Sequence, residues 1–210
     1  MSRARDDVLA RVRGALPGGC SGVPVPREYR RADERPRATL VDLLEERLVD
    51  YGAEVRRVGR QDVREAVAAV CRDRSSGRIG VPPGLPAEWR PEEIDIVEDR
   101  GLATAELDRL DGVVTGCTAA IAETGTLILA GAPADGRRAL TLVPDLHVCV
   151  VGEAQILGSV PEGIAVVASA VRADRRPVTL VSGPSATSDI ELLRVEGVHG
   201  PRQLVVVIAS

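Results

Sequence analysis

The spacing of apolar residues predicts two helices in the first quarter of the chain. Apolar residues at positions 8, 9, 12 and 16 form one face of a helix over residues 3–16. Residues 18–36 are rich in Pro, Gly and Arg and have no apolar period, which is typical of a loop. Thr39-x-x-Asp42, which resembles a capping box, opens a second helix, whose apolar face runs from Leu40 to Tyr51 and which ends at Gly52. We therefore expect a helix and loop extension over residues 1–36 and one α/β domain over residues 37–210.

Short apolar strands and amphipathic helices alternate between residues 53 and 111. The pattern predicts strands at 55–58, 78–81 and 94–97, and helices at 63–70 and 104–110. Strands and helices that alternate in this way are typical of βαβ units, which place their strands in a parallel sheet.

The strands predicted in the second half of the chain are almost wholly apolar and do not alternate between apolar and polar residues. They lie at 113–114, 127–129, 147–151, 178–181 and 204–208, with one amphipathic helix at 164–171. Strands need such continuous apolar runs when both faces of their sheet are covered. The sequence therefore predicts a three-layer α/β/α fold around a mostly parallel sheet.

Charge is distributed unevenly along the chain. Residues 1–111 carry 20 Arg and 22 Asp or Glu, whereas residues 112–210 carry 7 Arg and 9 Asp or Glu. Because ionised side chains are rarely buried without a partner, the second half should supply more of the core. The few charged residues in that half are therefore the stronger candidates for function.

The composition excludes several classes of protein. All 27 basic residues are Arg, so the chain has no lysine for a Schiff base, a pyridoxal phosphate anchor or a Walker A loop. A net charge of −4 and an aromatic content of 1% argue against binding to nucleic acid. The chain has neither an apolar run long enough to cross a membrane nor a signal-peptide pattern, so we expect a cytoplasmic protein.

The four cysteines, at positions 20, 71, 117 and 149, have no CxxC spacing. This spacing argues against a zinc ribbon, an iron–sulfur site and a thioredoxin motif within the chain. We expect most of them to be small buried residues.

Three loops have the composition of a ligand site. In open α/β sheets, ligands bind beyond the carboxyl ends of the strands, and we expect these loops to meet there. The first loop contains Thr115 and Gly116 and leads to Glu123, a carboxylate held among Ala, Ile and Thr. Such a poorly solvated carboxylate is a candidate reactive group, and the alternative is that Glu123 begins or caps an element.

The other two loops contain hydroxyl residues and a histidine. Residues 182–189 follow a predicted strand and could hold a phosphate or carboxylate, or their hydroxyls could simply cap a short helix that starts after Ser188. In the loop 197–201, His199 is either a general acid or base or a turn residue bound to the backbone.

Two further features leave alternatives open. His147 heads an apolar strand, where it is either structural or able to reach a site. Two histidines cannot form a His₃ zinc site, and a mixed site with Glu123 or Asp189 is only a weak alternative, so we predict no metal. Arg137 and Arg138 form either a solvated loop tip or a bidentate clamp for an anion.

Four segments of the chain resemble one known family. They are AIAETGT at 120–126, LTLVPDLHVCV at 140–150, VSGPSATSDIE at 181–191 and GVHGPRQLVVVI at 197–208. In order and spacing they resemble the LUD domain, most closely its lactate-utilisation protein C type. The resemblance implies a fold related to an isomerase and CoA-transferase superfamily that includes ribose-5-phosphate isomerase. It also implies a role in the oxidation of L-lactate to pyruvate together with two other proteins, at least one of which carries iron–sulfur clusters.

We therefore predict a non-redox component of a lactate-oxidising system that binds a small carboxylate around Glu123. Glu123 and His199 are the catalytic candidates. The residues predicted to contact the substrate are Thr115, Gly116, Thr124, Gly125, Thr126, His147, Ser182, Gly183, Pro184, Ser185, Thr187 and Asp189. No cofactor is expected on this chain, and iron–sulfur clusters are expected in its partners.

Two alternative functions stay open. The chain could be a stand-alone transferase or isomerase in which Glu123 acts as nucleophile or base. It could also be a scaffold or regulatory protein with a vestigial pocket. Several enzymes of the superfamily hold phosphate with Lys, so a phosphorylated substrate here would need Arg and backbone amides.

Overall fold

The computed structural model describes residues 3–16, 25–188, 194–197 and 199–210. The chain divides into two compact units, Met1–Arg30 and Arg31–Ser210. The first unit contains helix α1, Arg3–Ala15, whose apolar residues Val8 and Val12 are exposed. No helix among the described residues has the length and apolar character that a membrane span needs.

The second unit contains all the strands of the described residues. In chain order its elements are α2 Arg37–Asp50, β1 Glu54–Val58, α3 Val63–Asp73, β2 Arg78–Val81, β3 Asp95–Glu98, α4 Thr104–Leu107, β4 Gly112–Thr115, β5 Ala119–Ile121, β6 Thr126–Leu129, β7 Leu146–Gly152, β8 Ile156–Leu157, α5 Val160–Asp174, β9 Thr179–Val181, β10 Ala186–Ser188, β11 Arg194–Glu196 and β12 Gln203–Ala209. Four 3₁₀ turns connect them, at Arg60–Asp62, Ala87–Trp89, Ala122–Thr124 and Glu153–Gln155.

Six parallel strands form the central sheet, in the order β1-β12-β7-β4-β2-β3. The two longest strands, β7 and β12, pair from Leu146↔Gln203 to Gly152↔Ala209. Their side chains are buried on both faces, because Val148 and Val205 lie in one core cluster and Cys149 and Val206 in another. The predicted parallel sheet with flanking helices is thus confirmed.

A second sheet covers one face of the central sheet, and the sequence did not predict it. Its strand order is β8-β5-β6-β9, with antiparallel pairs on both sides of β6. The runs at 127–129 and 178–181, which we predict as strands of the parallel sheet, form β6 and β9 of this second sheet, so that prediction is wrong. A short apolar run shows that a strand is buried but does not identify its partner strand.

Helices cover the remaining surfaces of the two sheets. Helix α2 packs beside the second sheet, where Leu44 and Leu48 share a core cluster with Leu127. Helix α3 covers the opposite face of the central sheet, and its predicted apolar stripe is buried there. Helix α5 covers the outer side of the second sheet through Val167.

One local prediction differs from the structure, and a second falls on residues that the structure does not describe. Helix α2 begins at Arg37 with Pro36 as its N-cap, two residues before Thr39, so the predicted capping box is wrong. The proline favours this earlier start because its fixed φ and missing N–H suit the amino end of a helix. The short helix predicted after Ser188 falls on residues outside the described ones, and Ser188 itself ends the two-stranded β10-β11 ribbon.

Candidate anion-binding site

A cavity of about 230 Å³ lies over one face of the central sheet. His147 and Leu204, the second residues of β7 and β12, pair with each other and line its floor. Its other walls come from β9, from the loop that follows β9 and from residues 199–201. Drug-sized ligands usually occupy about 300–1,000 Å³, so this cavity suits a small metabolite.

This position corrects the expectation that three loops meet beyond the carboxyl ends of one sheet. His147 and Leu204 lie at the amino ends of their strands, and the loop 182–185 leaves a strand of the second sheet. The cavity therefore lies between the two sheets, where the switch-point rule for single open sheets does not apply.

Ser185 joins the two loops that form the cavity rim. Its N–H donates to the carbonyl of Pro201 at 2.8 Å, and its carbonyl accepts from the N–H of Gly197 at 2.9 Å. Its hydroxyl oxygen accepts from the N–H of His199 at 3.1 Å. Ser182, Gly183, Pro184, Ser185 and His199 thus line one cavity, as the sequence predicted that they would lie close together.

His147 is the most deeply buried polar residue of the cavity. Its side chain is 1% exposed, and its Nε2 lies 2.8 Å from the hydroxyl oxygen of Thr115. Burial, and after it the positive charge of Arg138, lower the pKa of His147 to about 4. The imidazole is therefore neutral near pH 7, as it must be to lie at this depth without a carboxylate.

Arg138 supplies the positive charge of the cavity. It lines this cavity and two neighbouring ones, of about 370 and 620 Å³, so it stands where the three meet. Its hydrogen bonds are long, at 3.4 Å to the carbonyl and to the hydroxyl of Thr141. Among the described residues it has no acidic partner, so its guanidinium can still pair with an anion.

The neighbouring Arg137 has a different role. It binds Asp99 through Nε at 2.6 Å and through Nη2 at 2.9 Å, and Asp99 is buried. Burial raises the pKa of Asp99, but the bonds from Arg137 and from two backbone N–H groups outweigh it and hold the pKa below its usual value. Of the two arginines weighed as a clamp, one is thus committed to a structural pair and the other faces the cavity.

Thr115 and Gly116 stand behind the cavity and do not line it. The Thr115 hydroxyl donates to the carbonyl of Gly116 at 2.8 Å and contacts His147. Gly116 N–H donates to the carbonyl of Ala134 at 2.8 Å. Thr115 therefore acts on the cavity through the histidine ring.

Glu123 lies in the 3₁₀ turn after β5, outside the residues that line the cavity. Its Oε1 accepts a hydrogen bond at 2.7 Å from the N–H of Val160, the first residue of α5. A carboxylate is favourable there because the amino end of a helix carries free N–H groups and partial positive charge. The geometry matches the alternative weighed from the sequence, in which Glu123 caps an element.

A chain of hydroxyl groups joins the Glu123 turn to the cavity rim. Thr124 Oγ1 lies 2.7 Å from Thr126 Oγ1, which lies 2.8 Å from Ser182 Oγ. Gly125, between the two threonines, has φ +58°, and a Cβ there would lie 2.7 Å from the Cβ of Arg47 on α2. These three residues of the AETGT segment therefore hold the second sheet to its surroundings.

Two candidates, Thr187 and Asp189, fall at the edge of the described residues. Thr187 lies on β10, but its side chain falls outside the described residues, as does Asp189. Among the described residues, no group of three or more His, Cys, Asp or Glu side chains is arranged to hold a metal ion.

Two polar residues that line the cavity, Thr141 and Thr179, were not predicted from the sequence. Thr141 lies three residues after Arg138 and six residues before His147. An arginine and a threonine therefore lie on one turn, upstream of a histidine that begins a strand. This spacing is the signal that could have identified Thr141 as a residue of the site.

The fold and the cavity define a class: an α/β protein with a parallel central sheet, a second sheet on one face, and a cleft between them that holds an arginine and two histidines. The chain belongs to the LUD domain family, whose model matches residues 41–209.

Individual relatives agree with this assignment. The chain is 46% identical to "Lactate utilization protein C" of Deinococcus radiodurans over 200 residues, which is 95% of this chain and 90% of the relative. It is 23% identical over 130 residues to the protein of that name from a Geobacillus strain, covering 59% of this chain and 54% of the relative. Its structure is similar to the crystal structure of a DUF162 family protein from Deinococcus radiodurans, with a TM-score of 0.73, 41% identity, and coverage of 84% of this chain and 99% of that one.

Proposed function

We propose that this chain acts in lactate utilisation by binding a small carboxylate in the cavity beside Arg138. The observation that carries the proposal is a guanidinium with no acidic partner among the described residues, in a cavity that it shares with His147, Ser182 and His199. The names of the relatives supply the metabolic context.

The chemistry of the cavity favours a carboxylate over a phosphate. A guanidinium binds a carboxylate through two parallel N–H···O bonds, and one arginine is enough for one such group. A phosphate usually requires several donors and more charge, whereas the described residues that line the cavity include one arginine and no acid. The volume of about 230 Å³ also favours a ligand of a few heavy atoms.

In this proposal the redox step takes place on a partner protein. The four cysteines of the chain have no spacing that could hold an iron–sulfur cluster, so we assign electron transfer to iron–sulfur partners of the lactate-oxidising system. The chain would then present or retain the carboxylate for those partners.

The test is isothermal titration of the purified chain with L-lactate and with pyruvate. Arg138→Gln should weaken the binding of both, because losing a charge-assisted pair costs about 1.5–3 kcal/mol, or roughly ten- to hundredfold in affinity. Arg72→Gln is the matched control, because it removes the same charge from α3, where Arg72 pairs with the exposed Glu65.

The proposal fails if neither carboxylate binds, or if Arg138→Gln binds both as tightly as the control does. The first result would favour the scaffold alternative. A melting curve gives an independent check, because a ligand at 100 times its Kd should add about 2.7 kcal/mol to the free energy of unfolding.

A further inference from the structure

The hydrogen bonds around His147 determine which ring nitrogen carries the proton. The Thr115 hydroxyl has a single proton, and that proton is donated to the carbonyl of Gly116. At 2.8 Å from the same oxygen, Nε2 of His147 must therefore be the donor. The neutral ring carries its hydrogen on Nε2 and has a lone pair on Nδ1.

Nδ1 is the ring nitrogen that a ligand in the cavity could reach. Nδ1 has no hydrogen bond to any of the described residues. Within those residues, Oδ1 of Asp135 is the one side-chain N or O atom that is fully buried without a partner, so Nδ1 must keep some accessible surface. His147 lines the cavity, so a ligand bound there is the available donor for Nδ1.

We propose that His147 makes the site selective for 2-hydroxy acids over 2-keto acids, an inference that rests on the proposed binding of a carboxylate at Arg138. The carboxylate pairs with the guanidinium, and the hydroxyl on the adjacent carbon donates its proton to Nδ1. A keto oxygen in that position has no proton to donate, and its lone pairs face the lone pair of the ring.

Arg138 and His147 thus bind two different parts of one ligand. Arg138 recognises the carboxylate that substrate and product share, and His147 distinguishes the hydroxyl of lactate from the carbonyl of pyruvate. The site would retain the substrate of an oxidation and release its product, and Thr115 acts as the positioning residue that holds the ring in the required tautomer.

Titrations with L-lactate, pyruvate and propionate test the selectivity, because propionate keeps the carboxylate and lacks the oxygen on C2. The wild-type chain should bind lactate about five- to tenfold more tightly than propionate, the value of one neutral hydrogen bond, and pyruvate no more tightly than propionate. Equal affinities for all three, with all three lost in Arg138→Gln, would overturn the selectivity and leave the proposed function standing.

Two substitutions of the histidine separate its two nitrogens. In His147→Gln the amide nitrogen can replace Nε2 toward Thr115 but nothing replaces Nδ1, so the preference for lactate over propionate should fall to about one. In His147→Asn the amide oxygen can occupy the Nδ1 position, so part of the preference should return. A preference that survives in His147→Gln would refute the assignment.

A third variant tests the tautomer without touching the histidine. Thr115→Val removes the acceptor that holds the proton on Nε2, so the preference for lactate should decrease. Thr118→Val is the control: it removes a hydroxyl bonded to Asp135 at 2.6 Å and should leave the preference unchanged. ¹⁵N NMR of the wild-type ring gives a readout that does not depend on variants. The chain has two histidines, so His199→Gln assigns the signals, and a proton found on Nδ1 would overturn the inference.

Discussion

His147 should make the stability of the protein depend on pH between about 6.5 and 4. Its pKa falls from 6.5 in the unfolded chain to about 4 in the folded one, because burial and Arg138 disfavour the charged ring. Below pH 6.5 the unfolded state therefore binds a proton that the folded state does not. The associated stability is complete above pH 6.5 and is lost as the pH falls toward 4.

The magnitude follows from the difference between the two pKa values. At about 1.4 kcal/mol per pKa unit, the shift amounts to roughly 3 kcal/mol of unfolding free energy. That is a large fraction of the stability of a typical domain, about 5–15 kcal/mol. No discount for solvent screening is needed, because the side chain is 1% exposed.

Urea unfolding at several pH values measures this term, with the fluorescence of Trp89 and circular dichroism as probes. His147→Gln cannot titrate, so its destabilisation relative to wild type should shrink by about 3 kcal/mol between pH 7 and pH 4. The carboxylates that titrate in this range are common to both proteins and cancel in the difference. A His147→Gln difference that stays constant with pH would refute the assignment of a buried neutral ring.

Two further predictions concern the turn after β5. Glu123→Ala should destabilise the protein by about 1 kcal/mol or more because α5 loses a capping acceptor, whereas Glu123→Gln keeps that acceptor and should cost less. Both variants should bind L-lactate like wild type, and a loss of binding in Glu123→Gln with unchanged urea unfolding would restore the carboxylate to the site. Gly125→Ala should lower the free energy of unfolding by about 2 kcal/mol or more, because alanine would be strained in the left-handed region and would contact α2. Gly52→Ala is the control: Gly52 has φ +87° and open space around it, so strain alone should cost about 1 kcal/mol. Equal losses in the two glycine variants would show that contact with α2 adds nothing.

The sequence predicted the elements that have a strong local signal. The unbroken apolar runs of β7 and β12 require burial on both faces, and the stripe of α3 requires one apolar contact surface, so both could be assigned without coordinates. The second sheet could not be predicted, because β6 and β9 have the same apolar character as the central strands. Their antiparallel pairing depends on contacts between distant segments.

The candidate site shows the same limit. The loops 182–185 and 199–201 were predicted to lie together from their composition, and the bonds through Ser185 join them. Glu123 was predicted to be catalytic because its neighbours in the sequence are apolar. Its orientation, however, is determined by α5, which starts 37 residues later. The different roles of Arg137 and Arg138 could not be predicted either, because the sequence does not show which of the two arginines binds Asp99.

The order of strands in the central sheet has a consequence for how the protein folds. β12, the last of the twelve described strands, is inserted between β1 and β7, and β1 has no other neighbour in that sheet. During synthesis, which proceeds from the amino end, β1 must wait for a partner until nearly the whole domain has been made. Leu204, which lines the cavity floor, arrives with that strand, so a nascent chain completes the cavity only in the step that joins β1 to the rest of the sheet.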